Sequence, residues 1–193
     1  MFAALSRLSL PVHLLAAGAA FAAFQAIKVR LDASYAASQH PVDYATGQLA
    51  FDAEVIEGYY AHMTSAGSLD IYWQTQILDF AFIAAVMVLS VLLGTLAARL
   101  GGRINRLGTW GWRLGVAAAL TGVSGALFDA LENLLSFAML ARPEAIAPAL
   151  ALAYSSAAAA KFALLTAAMA AFVLSLLAGG TARLVKAMGR SAG

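Results

Sequence analysis

There is no cysteine in the 193 residues. Disulfides, thiol redox chemistry and cysteine metal sites are therefore excluded, and with them a thiol-dependent disulfide oxidase of similar size. Charge is also scarce: 11% of residues are Asp, Glu, Lys or Arg, against about 25% in a typical soluble domain. A formal charge of +2 gives no footing for nucleic acid. No glycine-rich phosphate loop occurs, no histidine pair stands at metal spacing, and no cofactor motif is present. There is no internal repeat and no low-complexity linker.

What fills the chain instead is apolar. Hydrophobic residues make up 62% and the mean hydropathy is +0.80. A water-soluble domain averages about 45–50% apolar and could not hide this excess at this size. Four stretches reach the roughly 20 apolar residues that cross a bilayer: 10–29, 71–98, 112–141 and 148–178. The expected fold is all-α, a polytopic membrane four-helix bundle forming a single transmembrane domain over 1–193, with residues 31–70 outside the membrane.

Lysine and arginine set the orientation, because they concentrate in cytoplasmic loops. Arg99, Arg103, Arg106 and Arg113 crowd the loop between spans two and three; Arg183, Lys186 and Arg190 follow span four; Arg7 precedes span one; none of these segments holds Asp or Glu. The opposite side carries Asp32, Asp43, Asp52, Glu54, Glu57, Asp70 and Glu144 with Lys28, Arg30 and Arg142. Both termini are thus expected in the cytoplasm of a bacterium-like cell, with the protein in its inner membrane. Trp110, Trp112, Tyr72 and Trp73 lie at span boundaries, where amphipathic rings are favoured. Arg7, the first apolar run and Ala20-Phe21-Ala22 also fit a cleavable signal; a signal core of about 7–15 residues is shorter than this run, which favours a retained anchor.

In the outer segment, Leu49, Ala53, Ile56, Tyr60 and Met63 recur at helical spacing between Ala45 and Met63. The pattern predicts an amphipathic surface helix packed on the bundle, with a lid or docking role as the functional alternative. Ala66-Gly67 ends it and Ser68 caps span two. His40 and His62 read as surface residues, and His13 as an interfacial one. Gly101-Gly102 and Gly179-Gly180 read as helix ends; Gly122, Gly125 and Ala126 read as close-packing surface.

Four ionisable residues fall inside the spans: Asp79, Asp129, Glu132 and Lys161, joined by Asn133. One charge at the bilayer centre costs about 2.5–3.5 kcal/mol even on lenient scales. Counted from the outer ends of their spans, the four lie about eight to thirteen residues deep, roughly 12–20 Å at helical rise. Asp129, Glu132 and Asn133 stand at i, i+3 and i+4 and share one face with Gly122, Gly125 and Ser136. Tyr154 is two turns from Lys161, and Tyr72, Gln76 and Asp79 form a matching stripe on span two. Tyr72, Gln76, Ser136 and Tyr154 are therefore the expected surround of the polar network. Fully ionised, three carboxylates and one ammonium sum to −2, so protons, a cation or water must balance them. Lys161 with Asp129 or Glu132 is the simplest ion pair, and Asp79 the candidate to hold a proton. Oxygen ligation of a hard cation is a minor option that the lysine opposes.

Titratable groups at mid-depth suit a proton- or ion-linked permease or channel subunit, and four spans are few enough to require a homo-oligomer or a membrane-protein partner beside the lipid bilayer. A lipid- or isoprenoid-binding membrane enzyme is the first alternative. The chain shares with emopamil-binding-type sterol isomerases only the placement of acidic residues in a small helical bundle, and lacks their histidine-containing pattern. An accessory or assembly subunit of a larger membrane complex is the second. Polar contacts between membrane helices average only about 0.6 kcal/mol, so a network kept purely as glue is the weaker reading.

Overall fold

A computed structural model describes residues 8–191, with side chains to residue 189. Arg7 and the Arg190 side chain, used in the charge argument, lie outside them. Six helices follow among the described residues: α1 (Leu10–Ala37), α2 (Tyr44–Gln48), α3 (Ala53–Ser65), α4 (Leu69–Gly101), α5 (Arg106–Leu140) and α6 (Pro148–Ser191). Helices α1, α4, α5 and α6 are each long and apolar enough to cross a membrane. The chain is a multi-pass membrane protein with an all-α bundle fold. A helix is the form that satisfies its own backbone in hydrocarbon. Each extends beyond its apolar stretch at one end or both: α6 continues thirteen residues past 178, and α5 starts six residues before 112 and stops at Leu140.

The residues group into two compact units, and each long helix contributes to both. The first comprises the described parts of 1–22, 86–124 and 164–193. It is packed through glycine. A Cβ on Gly115 would sit 2.5 Å from the Ala98 backbone nitrogen, and one on Gly179 would sit 2.7 Å from that of Gly101. Neither position admits a side chain, and the helix backbones meet directly as small residues permit. Gly179 is thus a mid-helix contact inside α6 and not the helix end its Gly-Gly context suggests. Gly102 does end α4, at φ +54.

The second unit comprises 23–85 and 125–163. Its apolar core is built from Ala53, Ile56, Tyr60 and Met63 of α3, packed with Tyr72, Met139, Ile146 and Tyr154. The expected single amphipathic helix is two helices. Asp43 caps α2 through Thr46 N at 3.0 Å, and Asp52 caps α3 through Glu54 N at 2.9 Å. Between them Phe51 takes φ +55, and its N–H donates to Ser155 Oγ at 3.0 Å. That tertiary bond holds a conformation that few non-glycine residues adopt. Leu49 falls in the break and is exposed; Ala53, Ile56, Tyr60 and Met63 are buried as their spacing predicts.

Several tertiary hydrogen bonds hold the segment. Ser68 Oγ donates to Ser38 O at 2.6 Å, Ile146 N to Glu57 Oε1 at 2.6 Å, and Phe51 N to Ser155 as above. His40 is not a surface residue: it is half-buried, and its ring lies 5.1–5.4 Å from those of Tyr35, Tyr59 and Tyr72. Gly47 leaves the space it occupies, since a Cβ there would lie 2.9 Å from His40 Cε1. His62 is exposed. Tyr72, expected at a membrane boundary, is 4% exposed inside the core, while Trp73 and Trp110 are exposed.

Candidate functional site

The polar cluster lies wholly within the second unit. Helix α5 supplies its spine: Asp129, Glu132, Asn133 and Ser136 recur along one face, and all four are buried. Across from them α6 presents Lys161 and α4 presents Gln76 and Asp79, also buried.

Lys161 is the centre of one half. Its Nζ donates to Asp129 Oδ1 at 3.0 Å, to Glu132 Oε2 in a short ion pair, and to Gln48 Oε1 at 3.0 Å. An ammonium has three donors and no acceptor, so every proton of Lys161 is engaged. The Phe162 ring lies 4.8 Å away. Asn133 is the centre of the other half. Its Nδ2 donates to Asp79 Oδ2 at 2.7 Å, and its Oδ1 receives Gln76 Nε2 at 3.5 Å. Gln76 Nε2 also donates to Ser136 Oγ at 2.7 Å. The two halves are joined through adjacent residues of α5.

The structure therefore brings Asp129, Glu132 and Lys161 into one ion cluster, and Asp79, Asn133, Gln76 and Ser136 into a hydrogen-bonded chain beside it. Both carboxylates that the sequence offers to Lys161 are bound to it at once. Tyr72 and Tyr154 donate to no atom of these chains; they join Tyr60 in the buried core, close enough to Glu132 for its charge to act on all three hydroxyls. Burial holds the Tyr60 phenol well above its ordinary range; Ser136 lowers it and the Glu132 charge raises it, in falling order. Tyr60 stays neutral and keeps its proton.

One atom stands out. Glu132 is 0% exposed, and its Oε1 has no hydrogen-bond partner, the only such buried side-chain atom among the described residues. An unpaired buried polar atom is costly, and a charged one more so. Also among the described residues, no three His, Asp or Glu side chains converge as a metal centre would require.

Gln48 and Tyr60 are missed by sequence reasoning. Gln48 sits at the end of α2, where the apolar periodicity breaks, so no face assigns it to the cluster. Tyr60 is legible as buried but not as a neighbour of Glu132. His13 is misread as interfacial: it is 0% exposed. Arg99 Nη1 donates to its Nδ1 at 3.1 Å, which leaves the Nε2 proton for Leu92 O at 3.2 Å; Thr95 Oγ1 is also 3.2 Å from Nε2. These residues belong to the first unit and form a separate polar contact.

No protein-family model, no curated protein and no solved structure matches this chain. The site is accordingly read from its own chemistry.

Proposed function

We propose that this protein is a proton- or ion-linked permease or channel subunit of the cytoplasmic membrane, and that Glu132 is the group through which the proton or cation passes. The observation that carries this reading is the bare Glu132 Oε1 in a buried cluster of net negative formal charge. Ionisable groups inside membrane spans mark ion pathways and proton relays by default, and a carboxyl oxygen with no donor is where a proton or small cation is gained most readily.

The surround fits that role. Lys161 supplies a fixed positive charge shared by Asp129 and Glu132. A proton on Glu132 weakens its hold on Lys161 and shifts the ammonium towards Asp129 and Gln48. Gln48 belongs to the segment between the first two spans, so charge in the cluster and the seating of α2 are linked through one hydrogen bond. Access to the cluster then follows the position of that segment. Four spans leave little room for a path inside one chain, so the working unit is a homo-oligomer. Light scattering of the purified protein reads its copy number, and a monomer that still conducts would remove that part of the reading.

Flux in liposomes tests the main claim. With a pH or cation gradient imposed, the protein should raise the flux above that of empty vesicles, and Glu132→Gln should cut it at least ten-fold. Absence of flux for protons and for every alkali cation tried would refute it. Orientation is read separately: the acidic segments face out and the basic ones face the cytoplasm, as lysine and arginine bias demands. The chain has no native cysteine, so Glu54→Cys should react with an impermeant maleimide in intact cells and Lys186→Cys only after permeabilisation. The reverse pattern would invert the topology.

A further inference from the structure

The first unit carries a second feature, independent of the ion cluster. Its described side chains include six of the twelve lysines and arginines (Arg99, Arg103, Arg106, Arg113, Arg183 and Lys186) and none of the ten acidic residues. These cations have no carboxylate of their own unit to neutralise them. Two of them, Arg99 and Arg183, edge a groove of about 620 Å³ formed by α1, α4 and α6. Its other walls are apolar: Leu10 and Leu14 of α1, Leu93 and Leu96 of α4, Phe172 and Leu176 of α6.

We propose that this groove is a binding site for one anionic phospholipid, its phosphate held by Arg99 and Arg183 and an acyl chain lying along the leucines and Phe172. The volume is within the usual range of about 300–1,000 Å³ for small-molecule sites. Basic pockets between membrane helices recognise anionic headgroups, and planar guanidinium groups suit phosphate oxygens. Both arginines are held in place. Arg183 donates through Nε to Leu100 O at 2.7 Å and through Nη2 to Arg99 O at 3.1 Å, which covers the last carbonyls of α4 and leaves Nη1 for a ligand. Arg99 makes a single side-chain hydrogen bond, to the buried His13. Since His13 accepts that bond, it anchors the guanidinium without neutralising it. A zwitterionic lipid brings its own cation to this place and is disfavoured.

The test is lipid retention. Protein in detergent is mixed with equal amounts of phosphatidylglycerol and phosphatidylcholine, and bound lipid is read by native mass spectrometry. Phosphatidylglycerol should be retained at least five-fold over phosphatidylcholine. The pair Arg99→Gln with Arg183→Gln should abolish that preference, and Arg113→Gln, whose guanidinium lies over Trp110, should leave it intact. Because Arg183 also covers the end of α4, a groove-filling Leu96→Trp variant that keeps every cation is made alongside, and it should lose bound lipid of either kind. Equal retention of the two lipids, or full phosphatidylglycerol binding by both the arginine pair and Leu96→Trp, would overturn the proposal. So would displacement of the lipid by inorganic phosphate alone, which makes the site one for a free anion, or binding seen only after residues 2–7 are deleted, which makes the chain's own leading segment the occupant.

Discussion

At the scale of single residues, Lys161 has the largest predicted effect. It is the one cation against two carboxyls, and all three side chains are almost fully buried. Removing one partner of a buried ion pair leaves an uncompensated charge and costs about 3–5 kcal/mol. Lys161→Met should therefore lower stability by about that amount in a thermal or denaturant melt, and adding Asp129→Asn together with Glu132→Gln should restore most of it, since both carboxyls lose their cation. A null effect of Lys161→Met would mean that the pair is open to water. The grouping of Asp129, Glu132 and Asn133 was legible in the sequence, because i, i+3 and i+4 spacing places residues on one helix face whatever the partner. Which oxygen meets which nitrogen was not. That depends on the rotation of α6 and α4 about their axes, and the spans are apolar on too many sides for periodicity to fix it. Gln48 was hidden for a different reason: it reaches Lys161 across 113 positions of sequence, and a polar residue just ahead of the apolar repeat that begins at Leu49 reads as solvated.

At the scale of elements, the four spans are plain from composition, and α3 from its buried stripe. The break between α2 and α3 is not. It rests on Phe51 at positive φ, held by a serine of α6, and a phenylalanine does not announce a turn. The same segment carries the clearest pH dependence outside the membrane helices. Burial holds the His40 imidazole below its ordinary 6.5; the Val42 carbonyl raises it, His62 lowers it and Asp43 raises it, in falling order. The folded chain thus takes up this proton less readily than the unfolded chain. Stability is unaffected by His40 above about pH 6.5 and falls as the pH drops through that value towards the folded one. The melting temperature should decline on acidification, and His40→Phe, which keeps a ring among Tyr35, Tyr59 and Tyr72, should decline less. Equal slopes for the two proteins would show that the ring stack is not where the protons enter.

At the scale of the molecule, the segregation of charge is the feature that the sequence announces and the fold organises. All ten carboxylates fall in the unit of residues 23–85 and 125–163, and six of the described cationic side chains fall in the other. The glycines that pack the basic unit were half legible: small residues signal close approach, but a Gly-Gly pair inside α6 reads like a helix end until Gly101 is seen against it. Charge separation also frames the central claim, that the buried ion cluster is kept for moving protons or ions and not for holding the helices together. Substituting Asp79→Asn, Asp129→Asn, Glu132→Gln and Lys161→Met together removes every charge at once and leaves none orphaned. Thermal stability of that variant in nanodiscs is the decisive measurement. The account predicts a variant at least as stable as the parent, because a functional site is held at a cost to the fold. A markedly lower melting temperature would contradict it and make the cluster structural glue.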